Sequence, residues 1–282
     1  TRYLILYTYS MLDAHCHMQF HKFEDDYDVV IADAVSKGVS TIVNTGTSID
    51  SSQKAVKLAQ KYEELYAIVG IHPHHADKSD AQYEGLMPED WLEQLEELAK
   101  QPKVIGIGEI GMDFWNYRTN GVVPVDLQED AFRKQIELSI RLGLPLQIHT
   151  RLAWDETLNI LGDYEDRLRG APGMFHCFSG NIDFTKKVLD MGFKVGFDGN
   201  ITYDGVPPGE TTPLVDLVKF VPEDMILTET DSPFLSPNPL RGQRNTPANI
   251  PIILEFIAKV KGISYNTLEA QIERNFRTVF SV

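Results

Sequence analysis

A chain of 282 residues with 43% hydrophobic and 24% charged content can bury a substantial core, and on length alone it is one large α/β domain or two small ones. Its net charge of −15, with no basic tail or Lys/Arg-rich run, speaks against a surface built for long nucleic acid, although a bound metal pair can reverse the field inside a cleft. No apolar run approaches the ~20 residues of a membrane span, and two cysteines, Cys16 and Cys177, fit a reducing, cytoplasmic setting better than a disulfide framework.

The first ten residues, TRYLILYTYS, are apolar and aromatic with one Arg. The run is short for a signal-peptide core and no small-residue cleavage site follows. Met11 stands directly before the first strand. The expectation is that residues 1–10 are an upstream extension and that 11–282 form the functional domain.

From there the chain reads as strand–helix units. Strand-like runs fall at 11–15, 40–45, 65–70, 103–109, 145–149, 173–178, 193–197 and 225–230. Helical patterns occupy 25–37, 50–62, 88–100, 126–143, 181–191 and 211–220, and two more, 247–261 and 265–280, follow the last strand. Asp50-Ser51-Ser52, Met87-Pro88-Glu89 and Thr246-Pro247 are helix-start signals, and Gly38, Gly143, Gly192 and Gly262 stand where helices should end. Segments 113–125 and 198–213 read as irregular loops, the first longer than an ordinary connection. Eight strands alternating with helices predict an α/β fold, a TIM-like (β/α)8 barrel in a single domain. A doubly wound dinucleotide-binding sheet is disfavoured, because Gly106-Ile107-Gly108-Glu109-Ile110-Gly111 ends a strand and opens no helix.

All eight histidines (His15, His17, His21, His72, His74, His75, His149, His176) lie at the C-terminal end of a predicted strand or in the loop after it. In a barrel those ends share one rim, where active sites of this fold sit. His15 and His17 are two apart in a strand and point to the same face. By the same alternation Cys16 and Cys177 point away, as buried thiols between strands and helices. Glu109 ends strand four and Asp231 follows strand eight. The rim set is His15, His17, Glu109, His149, His176 and Asp231. Four imidazoles and two carboxylates exceed the needs of one tetrahedral zinc and suit two divalent ions ~3.5–4 Å apart. Glu109 is the expected bridge. Asp231 is expected to bind one ion and to take a proton from the attacking water. Zn²⁺ or Mn²⁺ suits the imidazoles, whereas phosphate chemistry often uses Mg²⁺.

In "GIHPHH", one of His72, His74 and His75 is expected to reach substrate, His74 the favoured one and His75 read as a solvated loop residue; His21 has no expected role. Arg151, two residues beyond His149, meets either an anionic group or a surface partner. Phe114, Trp115 and Tyr203 in the mouth loops either stack on bases or pack within their loops.

These residues also carry a resemblance. "LDAHCH", "GIHPHH", "IGEIGMDF", "PLQIHTR", "FHCFSG", "ETDSPFL" and "RNTPANIP" are similar to the successive signatures of the TatD family of metal-dependent deoxyribonucleases, within the amidohydrolase-like hydrolases. The resemblance runs from about Met11 to the C-terminal helix. It implies a TIM-like barrel with one metal held by His15, His17, Glu109 and Asp231 and a second by Glu109, His149 and His176. It also implies hydrolysis of DNA phosphodiester bonds, as an exonuclease on single strands or ends, with possible action at abasic sites. Met18-Gln19 departs from the family's usual acidic or Asn residue, and loops 113–125 and 198–213 are distinctive, which bears on substrate more than on chemistry. The nearest rival on the same barrel is a metal-dependent deacylase acting on aminoacyl-tRNA; a remoter one is an inactive metal-binding module. A monomer without membrane attachment is expected.

Overall fold

The computed structural model describes residues 11–77, 88–117, 121–168, 170 and 172–282. The expectation for residues 1–10 lies outside them, as does Met87 of the second helix-start signal. The elements run β1 (Met11–Cys16), α1 (Tyr27–Ser36), β2 (Val39–Thr45), α2 (Ile49–Lys61), β3 (Leu65–Val69), α3 (Trp91–Ala99), β4 (Val104–Asp113), α4 (Val125–Leu142), β5 (Leu146–Arg151), α5 (Trp154–Gly162), β6 (Gly173–Phe175), α6 (Ile182–Asp190), β7 (Lys194–Phe197), α7 (Leu214–Phe220), β8 (Ile226–Thr228), α8 (Ile250–Lys261) and α9 (Tyr265–Phe280).

The eight strands are parallel and neighbour one another in chain order. The ring closes between its ends: Cys16 bridges Ser232, and the Thr228 hydroxyl donates to the Leu12 carbonyl at 3.0 Å. This is the single-domain (β/α)8 architecture expected from the alternation of elements.

Local chemistry sets the helix ends. Ser48 and Ser264 accept hydrogen bonds from the backbone N–H of Ser51 (3.2 Å) and Thr267 (3.1 Å), capping α2 and α9. Gly143 and Gly262 close α4 and α8 in the left-handed conformation. Helix α5 falls in a stretch where no helix was expected. Its N-cap is Ala153, which offers no side-chain cap, so the start signal is missing from the sequence.

Two strand boundaries matter for the site. β4 runs four residues past its predicted end, because Ile110, Gly111, Met112 and Asp113 go on pairing with β5. Its register slips between Ile107↔Leu146 and Ile110↔Ile148, an irregularity at Gly108–Glu109 that re-aims the Glu109 side chain. Conversely, β6 stops at Phe175 and β8 at Thr228, so His176 and Asp231 stand beyond their strands.

Hydrophobic side chains such as Ile42, Leu65, Ile68, Ile107 and Phe193 form a fully buried core. Polar groups are buried with it. Gln147 of β5 donates through Nε2 to the Ala14 carbonyl at 2.8 Å and accepts the Thr45 hydroxyl at 2.8 Å, tying three strands together. At Gly111 the backbone of β4 comes so close to β5 that a Cβ would fall on the His149 carbonyl oxygen, and its φ of 144° is itself unfavourable for other residues. Gly111→Ala is therefore expected to lower stability by about 3 kcal/mol or more, read as a lower urea midpoint at unchanged slope.

Candidate metal centre

Glu109 is buried and its two carboxylate oxygens face two different sets of nitrogens. Oε2 lies 3.7 Å from His15 Nε2 and 3.5 Å from His17 Nε2. Oε1 lies 2.8 Å from His149 Nδ1 and 2.7 Å from His176 Nε2. Asp231 joins the first set, with Oδ1 3.6 Å from His15 Nε2 and 3.4 Å from His17 Nε2. The structure thus brings together all six side chains of the expected rim set. Three groups within it, His15–His17–Glu109, His15–His176–Asp231 and Glu109–His149–His176, have ligand atoms close enough to hold an ion, as does His72–Asp113–His149 beside it.

Hydrogen bonds behind the imidazoles aim them. His15 Nδ1 lies 2.8 Å from the Gln147 amide oxygen and His17 Nδ1 2.8 Å from the Thr45 carbonyl. Both partners only accept, so each Nδ1 carries the proton and each Nε2 turns its lone pair to the site. His149 donates from Nε2 to Asp113 Oδ2 at 2.9 Å, leaving Nδ1 for Glu109. His15 and His176 stack with ring centroids 3.9 Å apart.

Electrostatics divide the imidazoles. Burial, then the neighbouring His176, pushes His15 down to about 4, and burial pushes His72 down to about 3; both are neutral and ready to ligate at neutral pH. Burial also disfavours a charged His149, but Asp113 and Glu109 on its two nitrogens outweigh it and raise it to about 10. Burial alone would lift Glu109 and Asp231. The surrounding histidines instead hold Glu109 well below its ordinary range, and His15 and His17 beside Asp231 do the same for it.

The sequence-predicted substrate residues stand beside this centre. His74 Nε2 is 3.1 Å from Asp113 Oδ2. Arg151 packs its guanidinium over the Trp115 ring at 4.2 Å and donates to the Tyr117 hydroxyl at 2.9 Å, so its partners are aromatic rather than a surface carboxylate. His75 is not a solvated loop residue: Nδ1 donates to the Thr47 carbonyl at 2.7 Å. His21 is exposed. Cys16 is buried and its thiol donates to the Val43 carbonyl at 3.3 Å. Cys177 differs from expectation. It lies past the end of β6 with φ of 43°, so strand alternation does not apply, and its Sγ sits 3.5 Å from Asn200 Nδ2 in the loop after β7.

Sequence reading missed Asp113 and Gln147 and gave His72 no place beside Glu109. Asp113 and Gln147 share strand parity with Glu109 and His149 respectively, a usable signal once β4 is extended. His72 places Nε2 3.3 Å from Glu109 Oε1, which its loop position did not reveal. Below the centre a further carboxyl group set, Asp13, Asp198 and Glu229, is fully buried. Burial pushes Asp13 and Asp198 each up to about 7, and burial with Asp198 alongside raises Glu229 well above its usual range. Gly196 makes room for Glu229, since a Cβ there would fall on its carboxylate.

A cluster of imidazoles and carboxylates on the C-terminal rim of a parallel eight-stranded barrel is the centre of a metal-dependent hydrolase. The sequence matches the family model described as TatD related DNase over residues 12–281, and the chain belongs to that family. It is 34% identical to the 3'-5' ssDNA/RNA exonuclease TatD of Salmonella typhimurium and 31% identical to YabD of Bacillus subtilis, an uncharacterized metal-dependent hydrolase. Each match covers 96% of this chain and 99% of the relative. The crystal structure of YJJV, a TatD homolog from Escherichia coli K12, shares the fold with a TM-score of 0.85 at 26% identity, over 98% of this chain and 99% of that one.

Two outcomes follow. A metal on His149 Nδ1 would have to displace the proton held there, so affinity at that nitrogen should rise about tenfold per pH unit from pH 6 to 9 and weaken on acidification. Titration calorimetry in two buffers of different ionisation enthalpy should show net proton release. Asp113→Asn should weaken metal binding at His149 by about tenfold, as metal-content measurements after dialysis would show.

Proposed function

We propose that this chain hydrolyses phosphodiester bonds in single-stranded DNA or at DNA ends, as an exonuclease, with two divalent ions at the rim. The observation that carries the reading is the divided Glu109 carboxylate, one oxygen on each nitrogen pair. His15, His17, Glu109 and Asp231 hold one ion; Glu109, His149 and His176 hold the other. When bound, the ions supply an activated water and positive charge for the phosphate oxygens, and Mg²⁺, Mn²⁺ and Zn²⁺ are the candidates.

The protein's own groups do the rest. Asp231 is kept ionised by His15 and His17 and receives the proton of the attacking water. Glu109 fixes the spacing of the two nitrogen pairs. His74 and Arg151, at the edge of the centre, donate to the non-bridging phosphate oxygens and stabilise the charge that develops there. The substrate class follows the family and the Salmonella relative, whose name gives single-stranded DNA and RNA cut from the 3′ end. Two free thiols suit a reducing compartment, and we assign the protein to the cytoplasm as a monomer. Among the described residues no helix is long and apolar enough to cross a membrane.

The test is a gel time course on 5′-labelled single-stranded DNA with Mg²⁺ or Mn²⁺, with EDTA, and with Glu109→Ala. A metal-dependent ladder is expected, lost in EDTA and reduced by at least about 10³-fold in the variant. Intact DNA in every lane, with hydrolysis of an aminoacyl ester instead, would move the assignment to acyl transfer.

A further inference from the structure

A net charge of −15 is a poor start for holding a polyanion, yet the rim loops carry their own cations, each laid on an aromatic ring. Lys22, after β1, sits 5.3 Å from the ring centroid of Phe234, after β8. Arg151, at the end of β5, sits 4.2 Å from that of Trp115, after β4. Each pair joins two neighbouring loops. Because the strands follow one another in order around a closed ring of eight, the β8/β1 and β4/β5 seams lie on opposite sides of the mouth.

Both pairs are tied to the metal centre between them. The Phe234 N–H donates to the Asp231 carbonyl at 2.8 Å. Its ring meets Phe20 at 6.1 Å, and Phe20 in turn stacks on the His17 ring at 4.6 Å. On the other side Arg151 donates to the Tyr117 hydroxyl, which donates to Asp113 Oδ2 at 3.2 Å, the carboxylate that orients His149. Phe234 remains 43% exposed, so its ring is open to a flat partner. A third pair, Arg241 on Tyr203 at 4.0 Å, stands over β7 and β8 off this line; its Tyr203 hydroxyl is tied to the Ser236 carbonyl at 2.7 Å.

We propose that an unpaired strand crosses the mouth along the diameter from Phe234 to Trp115, with one base stacked on each ring, the scissile phosphate over Glu109 between them and within reach of Arg151, and Lys22 on the next phosphate along the strand. This deepens the phosphodiesterase assignment and rests on it. Aromatic platforms with adjacent cations are how single strands are held without sequence preference, at ~1–3 kcal/mol per stacked base. A duplex offers no free base faces, so the arrangement selects frayed or single-stranded ends. Local cations at this range act despite the distant negative surface, which salt screens beyond ~8–10 Å.

The experiment compares KM for a single-stranded decamer with KM for an abasic oligonucleotide of the same length, which keeps every phosphate and lacks every base. Wild type should favour the decamer. Phe234→Ala and Trp115→Ala should each reduce that preference about tenfold with kcat less affected, and Phe234→Tyr and Trp115→Phe should restore most of it. Phe220→Ala, a similarly exposed ring on α7, should leave it unchanged. An unaltered preference in both alanine variants, with decamer cleavage intact, would overturn the strand path alone. No cleavage of either oligonucleotide by metal-loaded wild type would overturn the nuclease assignment and this path with it.

Discussion

The structure is organised around one carboxylate that is only 3% exposed and has no room to be unpaired. A buried anion is costly unless charge or hydrogen bonds compensate it. Glu109 meets that demand with nitrogens on both oxygens, drawn from β1, β5 and the residue after β6. The slip in β4 that swings Glu109 inward, the close passage of β4 against β5 at Gly111, and the early ends of β6 and β8 all serve that convergence. Asp231 then supplies the second negative charge from across the β8–β1 seam.

Behind the inward-facing atoms lies a frame that sets which atom faces inward. Gln147 and the Thr45 carbonyl fix His15 and His17 in one tautomer, and Asp113 fixes His149. Asp113 also accepts the Trp115 backbone N–H at 2.8 Å and the Tyr117 hydroxyl, so one buried group shapes both a prospective metal ligand and the loop beside Arg151. Chemistry and substrate grip are therefore not independent parts of this rim.

Most of the fold could be read from the sequence because its signals are local. Short apolar runs mark the strands, start signals and terminal glycines mark several helices, and residues at strand ends in a barrel share a rim whatever their distance along the chain. That is why His15, His17, Glu109, His149, His176 and Asp231 could be grouped before any coordinates. What escaped depends on contacts between strands. β4 continues to Asp113 only because β5 is there to pair with it. Helix α5 starts without a cap. His75 looked solvated because nothing in "GIHPHH" announces the Thr47 carbonyl. Cys177 follows a histidine just as Cys16 does, yet a strand that stops two residues earlier turns it into a different environment.

The ring closes between its first and last strands, and this has a consequence for biosynthesis. His15 and His17 emerge first, whereas Asp231 and the β8 residues that seal the barrel come after more than three-quarters of the chain. A ribosome-bound or truncated chain ending before β8 owns the imidazoles of the rim but neither Asp231 nor the seam that holds β1 in place. The full rim is thus assembled only after β8 and the loop behind it have been made, so translation products that stop short of them carry an incomplete centre.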